Sequence, residues 1–168
     1  MSFRHTNIDI YKQIASDVLK REDLYQKEEQ SPEEIRENIS KRTPELLDMI
    51  KKGKTVEALV KALIDPPYGN DLEDVKVKKK KHKKDIYNKK YMNTIFEILS
   101  SIKPSEILNT TKILTVEQQD VLMKYLYKGL ADPKTYNPTV LLNWHEKLVE
   151  IAGHGCIVRS AFTDLRTV

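Results

Sequence analysis

The segment from Val121 to Leu130 constrains the fold more than any other, because its apolar residues surround too much of a helix for a surface element. Before it, Thr115 and Gln118 have the spacing of a capping box, and Gly129 is typical of a helix end. Apolar side chains cover well over half of this helix, whereas a surface helix buries about a third of its circumference. The sequence therefore predicts a helix that is either central in its own domain or covered by another protein.

Helix signals recur along the chain, and no segment alternates apolar and polar residues for long enough to predict a strand. Ser31-Pro32 and Thr43-Pro44 are each typical of a helix start, Gly53 of a helix end, and Thr55 of an N-cap, which together predict an αα-hairpin. The later predicted helices span about 85–102, a single turn at 105–108, then 115–130, 138–151 and a short segment after residue 155. The predicted fold class is all-α, an irregular array of about seven short helices that is similar in outline to an alpha-alpha superhelix.

The chain divides into an arm and a core. Residues 1–30 have scattered apolar positions and at most a marginal helix over about 9–26, so we expect an N-terminal arm that is partly disordered or becomes ordered on a partner. Residues 31–168 are expected to form the helical core domain, with a basic loop at 69–84. One cysteine, Cys156, excludes a disulfide within the chain, and no apolar leader or membrane-length run is present, so we expect a cytoplasmic protein.

The positive charge of the chain belongs to one segment. Residues 75–91 hold nine lysines and one acidic residue, Asp85, whereas the rest of the chain is slightly acidic. The lysines of the predicted loop are Lys76, Lys78, Lys79, Lys80, Lys81, Lys83 and Lys84. Because like charges repel, a solvated, extended loop is the favoured interpretation. The alternative is a helical module that binds nucleic acid or an anionic membrane through this run.

No motif indicates an enzyme or a cofactor site. Gly53-Lys54-Thr55 is similar to the end of a P-loop, but the required earlier glycine is absent, since Asp48 occupies that position. His154 and Cys156 are two residues apart and lack a third group to orient the histidine. The four histidines have no metal-ligand spacing. We therefore expect no catalytic, cofactor or metal site and no small-molecule substrate.

Several remaining residues are expected to contact partner proteins. Candidates on the helical core are Met123, Tyr125, Tyr127, Lys128 and Trp144, and candidates on the arm are Phe3, Ile8, Ile10 and Tyr11. For Trp144 a core position competes with an interface position. Tyr127 is the strongest candidate, because a phenol tolerates a partly wet boundary.

Several short segments of the sequence resemble one protein family. VLMKYLYKGL at 121–130, LLNWHEKL at 141–148, Ile157-Val158-Arg159 and Arg166-Thr167-Val168 are similar to subunit 5, the smallest subunit, of the actin-related protein 2/3 complex. The resemblance is dense over 113–168 and looser over 44–68, where Asp65-Pro66-Pro67 stands in the expected place.

The resemblance implies a non-catalytic scaffold of the actin cytoskeleton that supports nucleation of branched actin filaments. Such a subunit packs on subunits 4 and 1, its arm reaches actin-related protein 2, and it meets actin only indirectly. ATP would be bound by the actin-related subunits, and neither nucleic acid nor a membrane would be a main partner. Two departures stand out. The arm mixes acidic and basic residues where the family has an acidic, glycine-rich one, and the lysine run is similar to an insertion.

Overall fold

A computed structural model of the chain describes residues 32–67, 78–162 and 168. Within these residues all regular structure is helical, which confirms the all-α prediction. The seven described helices are α1 (Pro32–Lys51), α2 (Thr55–Ala62), α3 (Lys78–Ser101), α4 (Pro104–Ile113), α5 (Val116–Leu130), α6 (Pro138–Ala152) and α7 (Gly155–Phe162). The arm at residues 1–30 and its predicted helix lie outside the described residues.

The first helix is continuous where the sequence predicted two. Pro44 lies inside α1 and has no backbone N–H to donate to the preceding turn. Thr43 does not begin a second helix, because its hydroxyl donates to the Ile39 carbonyl at 2.7 Å, one turn back. Ile39 and Leu46 are buried on either side of the proline. Burial of these flanking residues stabilises the helix against a break that the local sequence favours.

The connection between α1 and α2 confirms the predicted hairpin and corrects its second cap. Gly53 has a positive φ of 76°, its N–H donates to the Ile50 carbonyl at 3.0 Å, and the Lys54 N–H donates to the Met49 carbonyl at 3.0 Å. This pair of bonds is the Schellman motif, so glycine ends α1 as predicted. The predicted N-cap at Thr55 is wrong, because Lys54 occupies that position and its side chain makes no capping bond.

The last part of the predicted basic loop, residues 78–84, is helical. Helix α3 begins at Lys78, whereas we expected it near Asp85, so the loop prediction is wrong for residues 78–84. Lysine is a good helix former, and adding residues to an existing helix is far easier than starting one. The predicted loop therefore overestimated the repulsion between the lysines and underestimated how easily a helix extends through them.

The N-terminal signals of the later helices are confirmed, whereas one length is corrected. The Thr115 hydroxyl accepts from the Gln118 N–H, and the Gln118 side chain accepts from the Thr115 N–H at 3.0 Å, which completes the capping box of α5. Asn137 Oδ1 accepts from the Thr139 N–H at 3.0 Å and caps α6. Helix α4 has ten residues rather than a single turn.

Two groups of helices meet along α3. Helices α1, α2 and α3 contact one another, and α6 contacts α4, α5 and α7. The C-terminal half of α3 joins the groups, because the buried Trp144 on α6 donates its indole N–H to the Leu99 carbonyl at 3.1 Å. Nearby, Tyr136 donates to Asn93 Oδ1 at 2.6 Å, and its ring lies 4.1 Å from that of Phe96. One hydrophobic core therefore runs through both groups.

Gly129 packs inside this core and does not end α5. The helix continues to Leu130, and the residue after it, Ala131, is the C-cap. A Cβ atom at position 129 would lie 2.5 Å from Phe96 Cζ and 2.8 Å from Leu141 Cδ1. The glycine leaves room against the α5 backbone for the ends of the Phe96 and Leu141 side chains, which come from α3 and α6.

Candidate interaction surface

The apolar surface of α5 is covered mainly by the chain itself. Its buried residues face α6 and α7, and they include Val121, Leu122, Met123, Tyr125 and Leu126. Helix α7 is fixed against α5 by a bidentate ion pair, in which the Arg159 guanidinium donates to both Asp120 oxygens at 2.8 and 3.0 Å. Of the two roles that the sequence allowed, the structure therefore gives α5 the central position in its own domain.

Three of the predicted partner contacts are buried. Met123 and Trp144 have no exposed surface, and Tyr125 is 1% exposed. The hydrogen bond from the indole of Trp144 to Leu99 gives this side chain a partner inside the fold. These three residues belong to the core and not to an exposed partner surface. The sequence did not separate the two roles, because a residue that faces another helix of its own chain has the same periodicity as one that faces a partner.

Tyr127 and Lys128 are exposed on the same helix and stay candidates. Tyr127 is 44% exposed, and its hydroxyl lies 3.3 Å from His145 Nε2 on α6. The two rings meet edge to face, with centroids 5.6 Å apart and planes at 77°. The histidine holds the phenol at the α5–α6 boundary and limits the rotamer entropy that Tyr127 would lose on contact with a partner.

Leu142 enlarges this site and was not among the sequence candidates. It is 54% exposed and precedes His145 by one helical turn, which places the two on the same side of α6. We call Tyr127, Leu142 and His145 the Tyr127–Leu142 patch. The sequence contained a signal for this residue, since Leu142 is apolar but lies outside the helix face that carries the buried Leu141, Trp144 and Leu148.

A polar rim borders the patch. Lys147 binds Glu150 at 2.9 Å and Glu146 at 3.4 Å on the exposed side of α6. The hydrogen bond to Glu150, and to a smaller extent the one to Glu146, raises the pKa of Lys147 above its ordinary value. Lys128 adds an exposed cation beside Tyr127. An aromatic and aliphatic centre with charged residues around it is the usual composition of a protein interface.

Other exposed apolar residues belong to other helices and connections. Val158 and Phe162, at 57% and 65% exposure, are one turn apart on α7. Ile113 and Val116, at 63% and 58%, lie on either side of the α4–α5 connection. These residues show that the surface has more than one apolar region, so the patch has to be tested against them.

The thiol of Cys156 is poorly suited to nucleophilic chemistry. The side chain is buried, and burial, followed by the nearby Asp120 carboxylate, raises the pKa of the thiol. A raised pKa leaves less of the reactive thiolate near neutral pH. His154 is exposed while Cys156 points into the core. Among the described residues, no group of three or more histidine, cysteine, aspartate or glutamate residues could hold a metal ion.

The comparison with protein families decides what kind of chain this is. Residues 2–168 match the model of the ARP2/3 complex 16 kDa subunit, p16-Arc. The chain belongs to this family. The match includes the N-terminal residues and the lysine run as well as the segment where the sequence resemblance was dense. The recognition made from the sequence is thereby confirmed.

Individual members of the p16-Arc family are similar over most of their length. A Xenopus laevis protein named actin-related protein 2/3 complex subunit 5-B is 30% identical over 168 residues, which is 99% of this chain and 94% of the relative. The subunit 5 proteins of Saccharomyces cerevisiae and Dictyostelium discoideum are 29% and 28% identical. Their alignments cover 79% and 82% of this chain, and 77% and 89% of those relatives.

Family membership leaves several predicted contacts without a described position. Phe3, Ile8, Ile10, Tyr11 and Lys76 lie outside the described residues. The backbone of residues 78–84 is helical. In the part of the chain that the structure describes, no helix is long and apolar enough to cross a membrane.

Proposed function

We propose that this chain is a structural, non-catalytic subunit of an actin-related protein 2/3 complex and supports nucleation of branched actin filaments. The observation that carries the proposal is the family match over residues 2–168. The architecture supports it, because the described helices form a packed scaffold and the one cysteine is buried with a raised pKa. Its place of action would be the actin cytoskeleton of the cytoplasm.

The proposal includes packing on subunits 4 and 1 of the complex, with the Tyr127–Leu142 patch as one of the contacts. Aromatic residues with limited rotamer freedom are favourable anchors at interfaces. Tyr127 is such a residue, since His145 orients it while almost half of its surface stays accessible. Leu142 supplies neighbouring apolar area, and Lys128 with the Glu146–Lys147–Glu150 group supplies the rim.

The second part of the proposal is a tether to actin-related protein 2 through residues 1–30. Phe3, Ile8, Ile10 and Tyr11 are the apolar candidates in this arm. An arm that becomes ordered on its partner covers a large surface for its length, at the cost of its conformational entropy. Because the arm mixes charges, we expect these apolar side chains to contribute most of the tether.

The test of the tether removes residues 1–25 and purifies the complex that contains the shortened chain. We expect actin-related protein 2 to be lost more readily on washing, while the helical circular dichroism of the chain is kept. Equal retention of actin-related protein 2 by the full-length and shortened chains would contradict the tether.

The test of the patch replaces Leu142 by Asp, with Val158→Asp as the matched control. Both side chains are aliphatic and more than half exposed, so neither change should unfold the chain. We expect Leu142→Asp to reduce incorporation into the complex and Val158→Asp to leave it nearly unchanged. Equal loss in both variants, or in neither, would contradict the assignment of this patch.

A further inference from the structure

The basic beginning of α3 is not explained by the proposed function. Residues 78–84 contain six lysines and one histidine, and their backbone is helical. Further along the helix, Lys89 and Lys90 are exposed, and Tyr91 is buried in the core. At 1.5 Å per residue, Lys78 lies about 20 Å along the axis from Tyr91. The six lysine positions therefore lie at the N-terminal end of α3, about 10–20 Å along its axis from Tyr91.

Helical structure changes what this run can do. A solvated loop was the favoured interpretation because repulsion extends a chain of like charges. In a helix the six lysines lie within about 10 Å of axial length, and those three or four residues apart are neighbours that repel one another. A surface of negative charge would relieve this repulsion. The helix is thus expected to gain stability when it meets such a surface.

We propose that residues 78–84 of α3 dock on the surface of a lipid bilayer that carries anionic headgroups. Clusters of four to eight basic residues are attracted to such surfaces by charge alone. This segment contains no apolar residue for insertion and no phenylalanine, tyrosine or tryptophan for stacking on bases. Its cations are all lysines, which act as point charges and lack the planar fork with which arginine reads bases and phosphates. A diffuse array of headgroups therefore fits it better than a nucleic acid.

The docking contact goes beyond the proposed function and does not depend on it. The chain could join the complex through other surfaces whether or not the basic helix binds lipid. For this reason the binding experiment uses the full-length chain with vesicles and measures the fraction that sediments with them.

The test compares vesicles of phosphatidylcholine with vesicles that also contain phosphatidylserine, at low and at moderate salt. The variant replaces Lys80, Lys81, Lys83 and Lys84 by Gln, a residue with similar helix propensity. The control variant replaces four exposed lysines elsewhere by Gln, namely Lys51, Lys103, Lys112 and Lys134. Each variant loses four positive charges from a formal net charge of +4, so the two have the same net charge.

We expect the chain to bind only the phosphatidylserine vesicles, with an affinity that falls as salt rises. The variant in α3 should bind more than about tenfold more weakly, since each lysine near an anionic bilayer contributes separately. The control variant should change binding by less than about threefold. Equal weakening in both variants, equal binding to both kinds of vesicle, or tighter binding to duplex DNA or RNA at the same salt would each overturn the proposal.

Discussion

Replacing Gly129 by Ala separates two opposite effects at one position. Glycine in a helix interior is less favourable than alanine by about 1 kcal/mol, so intrinsic propensity alone predicts that the change stabilises α5. The structure predicts the opposite sign, because the new Cβ would lie 2.5 Å from Phe96 Cζ, 2.7 Å from Phe96 Cε1 and 2.8 Å from Leu141 Cδ1. These distances are well below ordinary contact between carbon atoms, which is about 3.5–4.0 Å.

The neighbours cannot move away freely. Phe96 is 6% exposed and its ring packs at 4.1 Å from that of Tyr136, while Leu141 is 2% exposed. Overpacking of a core costs about 1–3 kcal/mol. Set against the gain in propensity, the expected net loss for Gly129→Ala is about 1 kcal/mol, and the larger Gly129→Val should lose more.

Urea unfolding of the purified chain, followed by helical circular dichroism, measures the free energy of unfolding for each variant. Phe96→Leu supplies the internal control, since it removes the ring that the new methyl group would meet. In that background Gly129→Ala should be less destabilising than in the original chain. If Gly129→Ala raised the free energy of unfolding by the full propensity gain, the close packing of Phe96 and Leu141 against the α5 backbone would be refuted.

Three further results are expected. Trp144→Phe should lower the free energy of unfolding by about 2–3 kcal/mol in urea titrations, because it removes a buried hydrogen bond and leaves a gap in the core. A change below about 0.5 kcal/mol would contradict the core position of Trp144. Thr115→Ala should cost about 1 kcal/mol through loss of the capping box, whereas Thr55→Ala, at a position whose cap residue is a lysine, should cost clearly less in the same assay. Burial raises the pKa values of Cys156 and Tyr91, so the unfolded chain releases these protons at lower pH than the folded chain does. Stability should therefore be complete below the ordinary thiol pKa and fall as pH rises above about 8.5 and then about 10, and an unfolding midpoint unchanged between neutral and alkaline pH would contradict this burial.

Local signals in the sequence were sufficient for the helix ends that depend on neighbouring residues alone. The capping box of Thr115 and Gln118, the Asn137 cap and the Gly53 end are all present in the structure. Each consists of hydrogen bonds between groups a few residues apart, so the sequence contains the whole interaction. The same holds for the all-α class, which follows from helical periodicity over most of the chain.

Local signals failed where distant residues decided the outcome. Pro44 has the features of a helix start, but burial of Ile39 and Leu46 carries α1 through it. Gly129 has the features of a helix end, but it lies within α5, and its lack of a side chain allows Phe96 to pack against the helix. In both cases contacts with other helices outweigh the local preference.

The sequence by itself determined the family, the helical class and the apolar excess of the segment from Val121 to Leu130, because these reside in residue order and spacing. Only the tertiary structure decided which apolar residues remain for a partner. Periodicity shows that a side chain lies on the apolar face of its helix. It does not show whether that face is covered by the same chain or by a partner. The packing of α6 and α7 on α5 buries Met123 and Tyr125 and leaves Tyr127 at the surface, beside a histidine that the sequence places 18 residues away.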